Sequence, residues 1–401
     1  MFLFQRFWVF FRIFNLAGVF PCYRETIEGQ KYLRANTGIC QLLKYLIFVS
    51  LSFVAPIVVG FKNGVTITEL FQWFASTSTD KVAFTGIWIC YGFESIPCAI
   101  ILFCIRKDLC MLQDFILEKF LLELPPENVY YNTAVFLWLP FSSLTAILFP
   151  LGFSITIADE LNYNAYQFSI TFLSFFAIIL GLFFPILATL LVFYEIFRFV
   201  SRWLQKLNFI VADPRNGLRA LRECELFCKK WKDIQSMVSF LLFVIMTASV
   251  IQVILISYKS LGFFINGEFA TNDIVQAVGY FAFQFAMLYS FVFISFYGEK
   301  ISNQVKELRV TLHDQHIVET GCGKAKSDEM LTLKKLVLNH LYQWENFSGF
   351  GFFTIGKPFL TAFVSNFITY LIILVQFKLT EKPIEVSDLN NSTSLNASII
   401  S

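Results

Sequence analysis

Seven long apolar stretches dominate this chain of 401 residues, and each is long enough to cross the hydrocarbon core of a bilayer as a helix. They fall near residues 40–61, 81–105, 133–157, 166–194, 238–262, 274–298 and 358–378. Hydrophobic residues make up 56% of the chain and charged residues only 15%, which excludes an ordinary soluble domain. The sequence therefore predicts an all-α membrane protein with seven transmembrane helices and its termini on opposite sides.

Basic residues indicate which side faces the cytoplasm, because cytoplasmic loops carry an excess of Lys and Arg near the ends of spans. Residues 62–80 contain only Lys62 and residues 158–165 contain none, whereas residues 195–237 contain nine. We therefore expect a cytoplasmic N-terminus and an extracellular C-terminus.

The C-terminal tail supports this orientation independently. It contains N-glycosylation sequons that are usable only on the lumenal side, at Asn390, Asn391 and Asn396. A G-protein-coupled receptor has the opposite orientation, and none of the nine cysteines lies in a predicted outer loop to form an outer disulfide. The cysteines are expected to be free thiols.

The N-terminal segment is expected to begin with a helix that lies along the cytoplasmic membrane surface. Arg6 and Arg12 interrupt its apolar run, which argues against a signal peptide and against a membrane span. The aromatic residues that recur at helical spacing and would lie among the lipid headgroups are Phe4, Phe7, Trp8, Phe11 and Phe14.

Two long cytoplasmic segments, residues 195–237 and 299–357, have the apolar periodicity of helices. In the second segment Ser327 is expected to cap a helix. Its apolar face would be formed by Leu333, Val337, Leu341 and Trp344. Such a helix either holds subunits together or packs only within its own subunit.

The seventh stretch contains polar side chains that are costly to bury in lipid. Four residues spaced i, i+4, i+7 and i+11 share one helical face: Ser365, Thr369, Ile372 and Gln376. This stripe favours a water-facing pore surface, although the alternative is that it packs against neighbouring helices. We expect Gln376 to line the pore, and the gate candidates are Ile372, Val375 and Phe377. No acidic ring lies on this face, which favours a weakly selective cation pore.

Two groups of polar residues in the predicted outer half of the bundle are candidates for a ligand pocket. The second span supplies Tyr91, Glu94 and Ser95, and the sixth span supplies Gln276, Tyr280 and Gln284. These groups suit a sugar or an amphipathic bitter compound. Glu94 is either a ligand contact or a structural group bonded to a neighbouring helix. Tyr370 lies off the polar stripe and is expected to couple the pocket to the pore.

Patterns for catalysis and metal binding are weak. His313 and His316 lie in a charged loop, and Cys224 and Cys228 share a helix face without a second pair to complete a zinc site. We expect no enzyme activity, no metal and no cofactor.

A short motif ends the seventh stretch: Thr369-Tyr370, five apolar residues and Gln376-Phe377. Upstream features accompany it, namely Leu331, Leu333, Leu336, Leu341 and the run Gly351-Phe352-Phe353. Together they resemble the C-terminal signature of arthropod gustatory receptors, a family related to insect odorant receptors. The resemblance implies a tastant-gated cation channel that forms a homo- or heterotetramer in the plasma membrane of sensory neurons. It also implies that Gln376 and Phe377 lie near the narrowest part of the pore.

The expected organisation follows from these observations and from the resemblance. It comprises a cytoplasmic segment (1–39), six spans with the ligand pocket (40–298), cytoplasmic anchor helices between subunits (299–357), a pore helix (358–378) and an extracellular tail (379–401). A metabotropic seven-helix receptor is the alternative function, and the predicted orientation opposes it. A secondary transporter is a third, and the lack of an internal repeat opposes it.

Overall fold

The chain is built on helices that run well beyond the thickness of a membrane. In a computed structural model the three longest are α4 (Ala165–Ala212), α5 (Gly217–Asn266) and α6 (Thr271–Asp314). The structure describes residues 8–27, 30–35, 39–47, 49–50, 94–120, 144, 147–148, 150–151, 154–155, 164–213, 217–266, 271–314, 324–343, 348–349 and 351–380.

In the part of the chain that the structure describes, shorter helices and two antiparallel hairpins accompany these three. The helices are α1 (Trp8–Leu16), α2 (Glu94–Cys104), α3 (Arg106–Phe120), α7 (Lys324–Gln343) and α8 (Lys357–Thr380). The hairpins pair β1 (Cys22–Ile27) with β2 (Gln30–Ala35) and β3 (Ser348–Gly349) with β4 (Phe353–Thr354). The described residues within 40–50 are also helical.

Several predicted spans coincide with described helices. Among the described residues, three helices are long and apolar enough to cross a membrane: Ala165–Ala212, Gly217–Tyr258 and Lys357–Phe377. They confirm the predicted fourth, fifth and seventh spans, and α6 contains the sixth. The apolar helix α2 covers the end of the second. Most of the first and third spans lies outside the described residues.

The described residues of 195–237 are helical except Asp213, as the periodicity predicts, and those of 299–357 are helical except around the β3–β4 hairpin. The fourth span was expected to end at residue 194, but α4 continues to Ala212 because the apolar pattern continues with it. Residues 195–212 extend the helix by about 27 Å at 1.5 Å per residue. An aromatic core holds this extension, since the Trp203 ring lies 5.4 Å from Phe115, 5.6 Å from Phe199 and 5.1 Å from Phe227.

The N-terminal helix exists, but its predicted exposure to lipid headgroups is wrong for two residues. Phe11 and Phe14 are buried inside the protein. Phe11 packs 4.5 Å from Phe20, and Phe14 packs 5.4 Å from Phe184 of α4. The chain folds back after α1 at Gly18, whose φ of +81° favours glycine, and this return covers the aromatic face.

The predicted start of α7 is also wrong, because the helix begins at Lys324 rather than after a cap at Ser327. Its predicted apolar face is otherwise correct: Val337 and Leu341 are buried and Leu333 is partly buried. This face packs on α5 and α6 of the same chain. Trp344 lies outside the described residues.

Candidate pore helix and buried polar site

The helix α8 starts from a small joint that fixes it to α6. The β3–β4 hairpin turns at Gly351, whose φ of +80° favours glycine. The Glu299 carboxylate then accepts a hydrogen bond from the backbone amide of Lys357, at 3.2 Å. A carboxylate in this position satisfies an unpaired amide and complements the positive end of the helix dipole. Gly298 allows Ile355 to pack closely, since a Cβ at residue 298 would lie 2.6 Å from Ile355 Cγ2.

A row of phenylalanines continues this attachment along one side of α8. Phe291 of α6 packs 5.2 Å from Phe359 and 4.2 Å from Phe363. Phe353 of the hairpin lies 4.5 Å from Phe359, and Phe352 lies 5.0 Å from Phe243 of α5. The Gly351-Phe352-Phe353 run is therefore a turn whose two rings connect α5 to α8.

The predicted polar stripe lies on the opposite side of α8 from this row. At 100° per residue, Thr369 and Gln376 lie about half a turn from Phe363 and Phe367. All four members of the stripe, Ser365, Thr369, Ile372 and Gln376, are exposed within the chain. Only 6% of the most apolar stretch of α8 is buried inside the chain, against 72% of the corresponding stretch of α4. One face of α8 is thus attached to its own subunit, and the polar face is left uncovered.

The three gate candidates do not share a face. Ile372 is on the stripe and is 54% exposed, whereas Val375 and Phe377 flank the stripe about a quarter turn away on either side. Tyr370 lies on the side of Phe363 but is 54% exposed.

The first predicted ligand group leads to a buried polar site in the bundle. Glu94 and Ser95 of α2 are fully buried. The side-chain amide of Gln252 in α5, also fully buried, donates to Glu94 Oε2 at 2.7 Å. Tyr45 donates to the Ser95 hydroxyl at 3.5 Å. The hydrogen bond to Gln252 supports a structural role for Glu94, which was one of its two predicted roles. Tyr91 lies outside the described residues.

Two oxygen atoms at this site remain without a donor. Glu94 Oε1 and Gln252 Oε1 are buried and have no hydrogen-bond partner in the structure. Close by, the Cys98 thiol is hydrogen-bonded to Thr189 of α4. An unpaired acceptor inside an apolar bundle costs about 1–3 kcal/mol, so the site favours a ligand, water or proton that supplies a donor.

The second predicted ligand group also contacts α5. The Gln284 amide of α6 donates to the hydroxyl of Ser257. Ser257 follows Gln252 by five residues, which corresponds to about 7.5 Å along the helix and about 140° around it. The side chains of Gln276 and Tyr280 lie outside the described residues, as do Asn390, Asn391 and Asn396.

Sequence reasoning missed Gln252, Ser257 and Thr189, which connect the candidate residues. Each is a polar residue inside an apolar stretch, and this signal is present in the sequence. It does not reveal the partner, because the partner lies on another helix.

Two thiols of α5, Cys224 and Cys228, are buried inside the protein. Burial raises the pKa of Cys224, and it raises the pKa of Cys228 to about 12, which reduces the fraction of reactive thiolate in both. Among the described residues no group of three or more His, Cys, Asp or Glu side chains is placed to hold a metal ion.

Comparison with known protein families identifies the family of this chain. The profile of the 7tm Chemosensory receptor family matches residues 9–381, which is nearly the whole chain. This chain belongs to the 7tm Chemosensory receptor family. It is thus a seven-helix membrane protein of a receptor family rather than of an enzyme family.

Solved structures share the fold of this chain. The insect olfactory receptor OR5 from Machilis hrabei in complex with eugenol has a TM-score of 0.66 and 12% identity, and the match covers 94% of this chain and 98% of that one. A second structure of that receptor has a TM-score of 0.66 and 13% identity, covering 93% and 98%. Comparison with curated proteins gives no significant match.

Proposed function

We propose that this protein is a gustatory-type receptor: a ligand-gated, non-selective cation channel that a small-molecule tastant opens. The observation that carries the proposal is the uncovered polar face of α8, opposite the row of phenylalanines that attaches the helix to α6. The similar fold of a receptor in complex with eugenol supports a small organic ligand.

The polar face needs an environment other than lipid tails. The Gln376 side chain is exposed within one chain, and an amide left in hydrocarbon costs several kcal/mol. Four copies of α8 around an axis would give this face water on one side and neighbouring subunits on the other. In this arrangement Gln376 lines the conduit and Ile372, on the same face, forms the apolar constriction.

The cytoplasmic helices are the proposed anchor of the tetramer. The inner face of α7 packs within its own chain, but Leu331, Leu336 and Tyr342 are at least 43% exposed. Exposed apolar side chains on a well-packed helix are available to a neighbouring subunit.

The proposed ligand site is the buried polar region around Gln252 on α5. It presents acceptor oxygens from Glu94 and Gln252 and lies five residues from Ser257, which binds Gln284. A ligand hydroxyl can donate to these oxygens, so the chemistry of the proposed site suits a sugar or an amphipathic bitter compound.

Cysteine substitution along α8 tests the pore. Ile372→Cys and Gln376→Cys should make agonist-evoked current sensitive to block by a cationic methanethiosulfonate reagent. The matched control is Tyr370→Cys, because this position is also 54% exposed in the chain but lies on the side of Phe363, away from the stripe. Equal block at all three positions, or at neither stripe position, would contradict the proposal. The unsubstituted receptor controls for native cysteines.

Excised membrane patches separate the remaining alternatives. A channel should respond to agonist in patches without nucleotides. Loss of the response after excision would favour the metabotropic receptor, and uptake of substrate without unitary currents would favour the transporter.

A further inference from the structure

Two buried cysteines that are far apart in sequence lie side by side between the N-terminal hairpin and α3. The Sγ atoms of Cys22, at the start of β1, and Cys110, in α3, are 4.0 Å apart. Cys22 is fully buried and Cys110 is 9% exposed. Any reagent from solvent therefore meets Cys110 before Cys22.

Neighbouring contacts hold both cysteines in register. The Asn15 side-chain amide donates to the carbonyl oxygens of Phe20 and Cys22, at 2.8 and 3.0 Å, and so fixes the backbone that carries Cys22. One turn after Cys110, Asp114 lies 3.7 Å from Arg34 of β2. The β1–β2 hairpin thus lies along α3 with two contacts about one helical turn apart.

The environment assigns different roles to the two thiols. The contact with Cys22 lowers the pKa of Cys110, and the charge of Arg34 adds to this effect against burial and the charge of Asp114. The contact with Cys110 and burial raise the pKa of Cys22, whose thiol also donates to the Arg106 carbonyl oxygen at 3.7 Å. Cys110 is also the more accessible thiol. It therefore has the properties of an attacking thiolate, and Cys22 those of a resolving thiol.

We propose that Cys22 and Cys110 are an oxidation site that forms a reversible disulfide when the protein meets a peroxide. The Cys110 thiolate attacks one peroxide oxygen, the O–O bond breaks, and the departing hydroxide takes a proton to leave as water. Cys22 then loses its proton and attacks Cys110 Sγ, and the S–O bond of the sulfenic acid breaks to release a second water. The peroxide is reduced by two electrons, and the two thiols are oxidised to one disulfide.

The required movement is small. A disulfide has an S–S distance of about 2.05 Å, so the sulfur atoms must approach by roughly 2 Å. The new bond would tie the N-terminal hairpin to α3, which directly follows the helix that carries Glu94. A cytosolic thiol pool would reverse the reaction.

Peptide mapping tests the proposal directly. Trypsin releases Cys22 in residues 13–24 and Cys110 in residues 108–119, and each peptide contains one cysteine. Full-length receptor in membranes is treated with hydrogen peroxide, alkylated and digested. We expect a linked 13–24/108–119 peptide that dithiothreitol abolishes.

Substitutions supply the controls. Cys22→Ser and Cys110→Ser should each abolish the linked peptide. Cys104→Ser should retain it, because Cys104 is not part of the pair. It is a suitable control, since it is an exposed cysteine only six residues from Cys110. Recovery of both peptides from the peroxide-treated wild type as alkylated thiols would overturn the proposal. So would oxidation of Cys110 to a sulfonic acid without the link. The wild-type result decides even if a variant misfolds, and it is independent of channel activity.

Discussion

At the scale of single residues, the pair Glu94 and Gln252 defines the interior of the bundle. Both side chains are fully buried, and one hydrogen bond of 2.7 Å joins α2 to α5. Removal of one partner leaves a buried polar group without compensation, whereas removal of both leaves an apolar contact.

Gln252→Leu should therefore destabilise the protein more than the double variant Glu94→Leu/Gln252→Leu. The expected loss for the single variant is about 1–3 kcal/mol, and part of it should return in the double variant. The thermal midpoint of the detergent-solubilised receptor, followed by fluorescence-detected gel filtration, measures both. If the two variants unfold at the same temperature, the bond does not stabilise the bundle.

The sequence identifies half of this pair. Glu94 is conspicuous because a carboxylate inside an apolar stretch needs a partner. Gln252 is the partner, but it lies 158 residues later in the chain, and a helical period gives no information on which helix faces which. The sequence therefore predicts that Glu94 needs a polar partner, but it does not predict which residue that partner is.

At the scale of elements, the joint between α6 and α8 determines where the candidate pore helix begins. Ile355 packs against Gly298, and Glu299 caps the first turn of α8. The joint has no space for an additional methyl group at residue 298.

Gly298→Ala should lower the thermal midpoint, at a cost of about 1–3 kcal/mol for overpacking. The effect should exceed the small gain in helix propensity that alanine brings. Ile355→Ala in the same chain removes the clash and should restore part of the loss. Gly217→Ala is the matched control, because a Cβ there meets Met330 Cε at an ordinary 3.6 Å. A Gly298→Ala midpoint equal to that of the control would contradict the tight joint.

Helical elements were predictable to the extent that their pattern was long. The stripe of α8 repeats over three turns, and its periodicity alone predicted that Gln376 shares a face with Ser365, Thr369 and Ile372. The hairpins were missed, because β3 and β4 have only two residues each and β1–β2 lacks a regular alternation of apolar and polar residues.

At the scale of the whole molecule, the orientation in the membrane is the prediction on which the channel proposal depends. An endoglycosidase that removes N-linked glycans should increase the electrophoretic mobility of the full-length protein expressed in animal cells. The shift should disappear when Asn390, Asn391 and Asn396 are changed to Gln, because the sequon at Asn346 is predicted to be cytoplasmic. A shift that persists in the triple variant would contradict this topology.

The overall fold was predictable from the number and length of the apolar stretches, since lipid permits few structures other than bundled helices. The cytoplasmic ends of the helices were less predictable. Their bounds depend on aromatic contacts between helices, such as those of Trp203 in α4 with Phe227 in α5 and Phe115 in α3.

The continuation of α4 beyond residue 194 has a mechanical consequence. A straight helix of about 27 Å converts a rotation of a few degrees at its base into a displacement of one to two ångströms at its far end. Under the proposed function, rearrangements too slight to disturb the packing around Glu94 are thereby amplified where subunits would meet. Pro185 leaves a helical hydrogen bond unmade earlier in α4, whereas residues 195–212 contain no proline, so this extension is the lever.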